Sequence, residues 1–175
     1  AIVALVVSAA FLSGSQESIA SELIPVDAGT LRTELDALQG QVVLVNFWAT
    51  WCRPCLEEIP LLLELEDELR EQGFRLVAVS LDDIATNESL VKPFMEKWFP
   101  EFTSYQNVEY DMDRMVSVID PAWNEILPTS YVLARDGSVA ELIQGVRTAD
   151  EFRASIESAL TSNPAADSTP EPSAD

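Results

Sequence analysis

The chain has 175 residues, 47% of them apolar, and this length is enough for one well-buried domain but not comfortably enough for two. Thirty acidic residues against ten basic ones give a net charge of −20, which repels phosphate backbones and therefore argues against nucleic-acid binding. Histidine is absent, which excludes serine-histidine and cysteine-histidine nucleophile pairs and removes the commonest ligand of catalytic zinc sites.

Residues 1–20 predict a truncated signal or membrane-anchor segment followed by a linker. Ala1–Leu12 is apolar apart from one serine, and the first basic residue of the chain is Arg32. This run is shorter than the roughly 20 apolar residues that cross a bilayer, and it lacks an initiator methionine and a basic start. A bacterial lipoprotein signal would carry its lipidated cysteine at the position of Ser15, so lipid attachment is not expected, whereas ordinary cleavage before Gln16 suits the small residues there. The alternative is that the apolar run forms a buried first helix of the domain.

The first half of the domain contains two predicted helices and two predicted strands. They are a helix at Thr30–Leu38, a strand at Val42–Trp48, a helix from Cys52 to about Gln72 and a strand at Phe74–Leu81. Both strands are apolar runs, broken in the first only by Asn46, and such runs are typical of strands covered on both faces. The second helix has apolar side chains at helical spacing, with a kink expected at Pro60. The long connection between the strands favours a right-handed parallel unit.

The second half predicts two helices, then a hairpin and a last helix. The elements are a helix at Ser89–Trp98, a short helix at Asp111–Val118, strands at Thr129–Ala134 and Val139–Ile143 joined by a turn at Arg135–Ser138, and a helix after Thr148. Thr148 and Glu151 form a capping box at the start of that last helix. Its buried face is predicted to consist of Phe152, Ile156 and Leu160. The summed order is β-α-β, then α, then β-β-α.

The predicted domain covers residues 21–160. Beyond it, Thr161–Asp175 contains three prolines and no apolar side chain larger than alanine. Such a segment cannot bury enough surface to offset its chain entropy, so a disordered acidic tail without a catalytic role is expected.

The two cysteines, Cys52 and Cys55, stand where the first predicted strand turns into the long helix. A thiol in the first helical turn faces unpaired backbone amides and the positive end of the helix dipole, which lower its pKa below the usual value of about 8.5. Cys52 is therefore predicted to be the attacking sulfur, and Cys55, one turn further on, can close a disulfide with it. Arg53 adds positive charge beside the pair, and Pro54 suits the first turn of a helix.

Two other interpretations of the cysteine pair are a purely stabilising disulfide and part of a metal site. Cross-link stabilisation grows with the length of the closed loop, and only two residues separate these cysteines. Two thiolates fall short of the four ligands of a structural zinc site, so a metal would need ligands from a partner chain. A redox-active pair is therefore favoured, and no metal site is predicted.

The segment from Val45 to Cys55, VNFWATWCRPC, resembles the active-site segment of the thioredoxin superfamily, and more narrowly that of the TlpA/ResA-like thiol-disulfide oxidoreductases of bacterial envelopes. The resemblance covers about residues 25–160 and implies an α/β thioredoxin-like fold, in which helices flank a central mixed β-sheet. It also implies an N-terminal extension and a helical insertion, roughly from Ile84 to Leu127, before the family's cis-proline. Asn46 stands where cytoplasmic thioredoxins carry a buried aspartate, a departure that the envelope branch shares.

The resemblance implies a catalytic set of Cys52, Cys55, Glu58 and Pro128. Glu58 matches the family's CxxCxxExP pattern, here CRPCLEEIP, and lies three residues after Cys55, on the cysteine side of the helix. A partly buried carboxylate there would have a raised pKa and could take the proton of Cys55, whereas the alternative is a solvated glutamate on an acidic helix. Pro128 matches the family's cis-proline, which lies against the cysteines and lets the preceding backbone pair with an extended substrate. The alternative is an ordinary turn proline.

The substrate-binding residues implied beside this set are Trp51, Arg53, Pro54, Leu127 and Thr129. Trp51 directly precedes the nucleophile and is expected to cover the disulfide and contact partners. Leu127 and Thr129 flank the implied cis-proline. Trp48, at the end of the buried strand, is expected in the core.

The resemblance implies a thiol-disulfide oxidoreductase that is exported to the bacterial periplasm or cell envelope. It would reduce disulfides of envelope proteins, with apocytochrome c as one candidate substrate, and a membrane thiol carrier would supply the electrons. The Cys52–Cys55 disulfide would be its redox group, so no cofactor is expected. The N-terminal segment would associate with the membrane, and the protein is expected to be a monomer.

Two alternative functions stay open, a thiol peroxidase of the same fold and a non-catalytic thioredoxin-like binding module. A peroxidase of this fold presents its cysteine after a P-x-x-x-[ST]-x-x-C signature, and here Val45 and Ala49 occupy the first two defined positions. The intact catalytic set argues against a module without turnover. Thiol-disulfide exchange is therefore the favoured function.

Overall fold

A computed structural model describes residues 21–162, so the predicted signal-like segment of residues 1–20 and the predicted tail from residue 163 onward lie outside the described residues. In chain order the helices and strands are β1 (Glu22–Val26), α1 (Ala28–Ala37), β2 (Val42–Trp48), α2 (Arg53–Leu69), β3 (Phe74–Ser80), α3 (Lys92–Trp98), β4 (Thr103–Asn107), α4 (Met112–Val116), β5 (Thr129–Leu133), β6 (Val139–Gln144) and α5 (Ala149–Thr161). Short helical turns at Arg70–Gln72, Ile84–Thr86 and Asn87–Val91 lie between them.

The six strands form one mixed sheet in the order β1-β4-β3-β2-β5-β6. The first four strands in this order run parallel, β5 is antiparallel to β2, and β6 is antiparallel to β5. All seven residues of β2 are buried, which explains the continuous apolar run of this strand. The predicted α/β thioredoxin-like fold, a mixed sheet flanked by helices, is confirmed.

Helices cover both faces of β2, whose successive side chains point to opposite faces of the sheet. Val43, Val45 and Phe47 pack in the core beneath α1 and α4. Val42 and Leu44 pack in the core beneath α2 and α5. Because both faces of β2 are apolar and covered, the strand is held rigidly, and so is the point where its chain leaves the sheet.

The insertion before the cis-proline contains helices, as expected, but it also contributes β4, and the sequence pattern predicts neither β4 nor its partner β1. β4 has the sequence TSYQN and lacks apolar alternation. The fully buried residues of β4 include two polar ones, Ser104 and Gln106. The indole N–H of Trp48 donates to the Ser104 hydroxyl at 2.9 Å, so this buried hydroxyl has a hydrogen-bond partner. Hydrophobic periodicity therefore does not predict this strand.

The C-terminal hairpin and last helix are confirmed, since β5 pairs with β6 and Thr148 caps α5 through reciprocal hydrogen bonds with Glu151. Helix α2 continues past Pro60 to Leu69. Gly73 follows the helical turn after α2 with φ +90°, a left-handed conformation that favours glycine and that lets the chain reverse into β3.

The sheet brings two distant segments together at the carboxyl end of β2. Phe47 pairs with Thr129, the first residue of β5. Because these strands are antiparallel, the segment that enters β5 through Pro128 lies beside the loop that leaves β2 after Trp48. The cysteine motif and the proline, more than seventy residues apart in sequence, are thus neighbours in the fold.

Candidate active site

Cys52 and Cys55 form a disulfide with an S–S distance of 2.03 Å at the N-terminus of α2. Cys52 is the N-cap residue, and its sulfur accepts a hydrogen bond from the backbone N–H of Cys55 at 3.3 Å. The positive end of the helix dipole at this position favours a thiolate on Cys52 once the disulfide is reduced. Cys52 is 5% exposed whereas Cys55 is fully buried, so Cys52 is the sulfur that a partner reaches first.

A tight turn carries the chain from β2 into α2. The backbone N–H of Cys52 donates to the carbonyl of Ala49 at 3.0 Å, which places Thr50 and Trp51 at the corner. Trp51 is 64% exposed directly before the nucleophile and is available to a partner. Thr50 points the other way, since its N–H and hydroxyl both donate to the carboxylate of Asp82, at 2.9 and 2.6 Å.

Asp82 is a site residue that the sequence pattern does not single out. It follows β3, which runs parallel to β2, so both strands end at the same edge of the sheet. An acidic residue just after a buried parallel strand lies at that edge of the sheet. This signal could have predicted that Asp82 lies beside the cysteine motif.

Glu58 lies one helical turn beyond Cys55, and only 1% of its surface is exposed. Its Oε1 accepts a hydrogen bond from the backbone N–H of Arg147 at 3.1 Å, whereas Oε2 has no hydrogen-bond partner among the described residues. Glu58 is therefore a buried carboxyl group and not the solvated glutamate of the alternative interpretation. The neighbouring Glu57 is exposed and pairs with Arg53 at 3.2 Å.

Burial raises the pKa of Glu58 from 4.5 to about 7, because removal from water disfavours the ionised carboxylate. The hydrogen bond from the Arg147 backbone and the positive charge of the Arg147 side chain lower this pKa, but they are the weaker effects. A carboxyl group with such a pKa gains and loses its proton near neutral pH, which is what a general base for a thiol requires.

Pro128 is buried, and the Leu127–Pro128 peptide bond is cis, as predicted. The side chain of Leu127 packs against the apolar cluster that contains both cysteines. Thr129, a predicted substrate-binding residue, has a fully buried side chain, and its hydroxyl donates to the carbonyl of Ile126 at 2.5 Å. The Thr129 side chain therefore supports the proline loop from inside.

The remaining predicted substrate-binding residues lie around the disulfide with different exposure. Arg53 is exposed, whereas Pro54 and Leu127 are half-buried. Ile126, which the sequence pattern does not single out, is 48% exposed on the proline loop and adds an apolar side chain to this surface. Trp48 is fully buried, which confirms its expected place in the core.

Within residues 21–162, no cluster of three or more histidine, cysteine, aspartate or glutamate side chains is arranged to hold a metal ion. In the same part of the chain, no helix combines the length and apolar character needed to cross a membrane. Both cysteines are paired with each other, so the described site is in its oxidised form.

The strand order and the disulfide at the start of the helix after the central strand place this protein among the thioredoxin-fold proteins with a redox-active cysteine pair. The sequence profile of the AhpC/TSA family matches residues 22–142. The chain belongs to this family and, within it, to the ResA-like thiol-disulfide oxidoreductases.

Thiol-disulfide oxidoreductase ResA of Oceanobacillus iheyensis is 34% identical over 127 residues, which span 73% of this chain and 60% of that protein. ResA of Bacillus subtilis is 31% identical over 134 residues, which span 77% of this chain and 70% of the relative. Among solved structures, a thiol:disulfide interchange protein DsbE from Chlorobium tepidum superposes with a TM-score of 0.59 at 30% identity, over 72% of this chain and 84% of the other.

In the reduced protein, Cys52 is expected to react with a thiol-specific alkylating reagent before Cys55. The reason is that Cys52 lies at the helix N-terminus and is 5% exposed, whereas Cys55 is fully buried. Mass spectrometry of samples quenched over a range of pH values measures both rates. Equal rates, or faster labelling of Cys55, would contradict the assignment of Cys52 as the attacking sulfur.

Glu58 is expected to make the protein less stable as the pH rises from about 4.5 to about 7. Its pKa is about 7 in the folded state and 4.5 ordinarily, so its contribution is fully present below pH 4.5 and is lost as the pH rises through 7. The loss amounts to about 3 kcal/mol. Urea unfolding of the oxidised protein at pH 4.5 and pH 8 measures it.

Glu58→Gln should remove most of this pH dependence, since the neutral amide keeps the size and the acceptor for the Arg147 N–H. Glu57→Gln is the matched control, because Glu57 is exposed and its substitution changes the net charge by the same amount. The same pH dependence in both variants would show that Glu58 ionises freely in the folded protein.

Proposed function

We propose that the protein reduces disulfide bonds of proteins in the bacterial envelope, with Cys52 as the attacking thiolate and Cys55 as the resolving thiol. The observation that carries the proposal is the disulfide at the N-terminus of α2, whose more accessible sulfur belongs to the cap residue. Relatives named thiol-disulfide oxidoreductase and thiol:disulfide interchange protein support it.

The proposed cycle consists of two exchange reactions. The Cys52 thiolate attacks one sulfur of the substrate disulfide, so that a mixed disulfide forms and the second substrate sulfur leaves as a thiolate. Cys55 then loses its proton and attacks the Cys52 sulfur. The Cys52–Cys55 bond forms, the mixed disulfide breaks, and the first substrate sulfur leaves as a thiolate. Two electrons have then passed to the substrate, and an external dithiol must reduce the pair again.

Glu58 is the proposed base in the second reaction. It lies three residues after Cys55 on the same side of α2, and its Oε2 has no hydrogen-bond partner among the described residues and is able to accept a proton. Since its pKa is about 7, Glu58 accepts the Cys55 proton at neutral pH and releases it again to solvent. The chain has no histidine, so the proposed general base is this buried carboxyl group.

The substrate is proposed to bind as an extended segment across the disulfide. The exposed ring of Trp51 and the exposed side chain of Ile126 offer apolar contacts on this surface. Leu127, directly before the cis-proline, packs its side chain against the apolar cluster that contains both cysteines, and its backbone is the proposed pairing partner of the substrate. Backbone pairing with this segment would accept many sequences, whereas the apolar contacts would set preferences.

The proposed location is the periplasm or cell envelope. The apolar run of residues 1–12 supports export and an association of the N-terminus with the membrane. A membrane thiol carrier is the proposed electron donor, and apocytochrome c is one proposed substrate. The dithiol itself carries the two electrons, so the cycle needs no bound cofactor, and the protein is proposed to act as a monomer.

Cys55→Ser tests the proposed function, because it leaves the attacking thiol and removes the resolving one. Expressed in bacterial cells, this variant should accumulate mixed disulfides with partner proteins, and a reductant should release those partners. Cys52→Ser should accumulate none. Mass spectrometry of the released partners identifies the substrates. If both variants trap nothing while the wild-type protein consumes hydroperoxide, the peroxidase alternative would be correct instead.

Glu58→Gln is expected to slow the second reaction by about 100-fold and to leave the first nearly unchanged, because general-base catalysis is worth about that factor. Mixed disulfides should accumulate as a result. Stopped-flow measurement of both steps checks this, with Glu57→Gln as the control of equal charge change. Equal, small effects of the two substitutions would mean that Cys55 loses its proton without help from Glu58.

A further inference from the structure

A second buried carboxylate, Asp82, lies beneath the turn that presents Cys52. Only 3% of its surface is exposed. Its Oδ2 accepts hydrogen bonds from the Thr50 N–H and the Ser80 hydroxyl, both at 2.9 Å, and its Oδ1 accepts one from the Thr50 hydroxyl at 2.6 Å. Three hydrogen bonds on its two oxygens hold this side chain in one place, so it is suited to act as an anchor.

The anchor acts on the turn through a single residue. The turn is closed by the bond from the Cys52 N–H to the Ala49 carbonyl, and its two corner residues are Thr50 and Trp51. Trp51 is 64% exposed and packs little against the domain, whereas both hydrogen bonds that Thr50 donates go to Asp82. The position of the backbone just before Cys52 therefore depends on the Asp82 carboxylate.

Asp82 is itself held by the insertion. The side-chain amide of Gln106, a fully buried residue of β4, donates to the Asp82 carbonyl at 2.7 Å. Gln106 also pairs with Ser80 across the ladder between β3 and β4. The polar strand that the insertion adds to the sheet thus reaches the cysteine turn through Asp82 and Thr50.

We infer that Asp82 is a positioning residue for the attack by Cys52 and acts through Thr50. The inference rests on the proposed thiol-disulfide exchange. The attacking sulfur must line up with the S–S bond of the substrate, and misplacement by about 1 Å is enough to slow a reaction by up to 100-fold. A turn fixed at Thr50 holds Cys52 in line while leaving Trp51 free for the substrate.

Three substitutions separate anchoring from charge. Asp82→Ala removes both. Asp82→Asn removes the charge but retains an oxygen that accepts from the Thr50 N–H, and its amide donates to the Thr50 hydroxyl, which is also an acceptor. Thr50→Val keeps the shape of the side chain and the backbone hydrogen bond and deletes the bond of 2.6 Å. Asp83→Asn is the control, because Asp83 is exposed, its substitution changes the net charge equally, and asparagine keeps the oxygen that accepts from the Ala85 N–H.

The test is the second-order rate at which each reduced, full-length protein attacks a small aromatic disulfide, together with the pH profile of Cys52 alkylation. Asp82→Ala should slow the attack at least tenfold and Thr50→Val about threefold, Asp82→Asn should recover most of the loss, and Asp83→Asn should match the wild type. The alkylation midpoint of Thr50→Val should stay at the wild-type pH, because the carboxylate is still present.

Two results would overturn the inference. If Asp82→Asn is as slow as Asp82→Ala, the charge and not the anchor matters. If Thr50→Val attacks at the wild-type rate, the hydrogen bond from the Thr50 hydroxyl to Asp82 does not position Cys52, and this result can be read even where Asp82→Ala fails to fold. A wild-type protein that leaves the small disulfide intact and traps no partner would instead contradict the proposed function, whatever the variants do.

Discussion

The rest of the structure depends on the burial of β2 on both faces and on its direct passage into α2. All seven residues of this strand are buried, so its carboxyl end has almost no freedom. Cys52 follows four residues after the strand and Cys55 seven residues after it, so both are held close to this rigid end. Thiol-disulfide exchange requires a sulfur with a stabilised thiolate at a fixed place, and the strand and the helix dipole supply these two conditions separately.

Two buried carboxyl groups support the site in opposite ways. Asp82 receives hydrogen bonds on both oxygens, from Thr50 and Ser80, and is suited to hold the chain in place. Glu58 receives one hydrogen bond, from the Arg147 backbone, and burial raises its pKa to about 7. A carboxyl group that is buried without sufficient donors becomes a base near neutral pH, and one with sufficient donors becomes an anchor. In a chain without histidine, this difference in hydrogen bonding divides the two roles between the acids.

Much of the fold was predictable from the sequence, and the exceptions have a common cause. The apolar runs of β2 and β3, the capping box at Thr148 and the hairpin of β5 and β6 all follow local rules of pattern and turn chemistry. β4 follows none of them, because Ser104 and Gln106 are buried polar residues whose side chains bond to Trp48 and Asp82, far away in sequence. Asp82 and the buried side chain of Thr129 belong to the same class. A polar residue is a good core residue only when the fold supplies its hydrogen bonds, and no local pattern records that.

The sequence by itself determined the cysteine motif, its place between a buried strand and a helix, and the side of that helix on which Glu58 lies, because strand burial and helical spacing are periodic properties of neighbouring residues. Only the tertiary structure decided that Glu58 is shielded from water, since the shielding comes in part from the segment at Arg147, 89 residues away. It also decided that the segment around Pro128 lies beside the loop after β2, through the antiparallel pairing of β5 with β2, and that Asp82 accepts a hydrogen bond from Thr50 in that loop. The sequence determines the chemical type of each side chain. Its exposure to water and its hydrogen-bond partners depend on residues that only folding brings into contact with it.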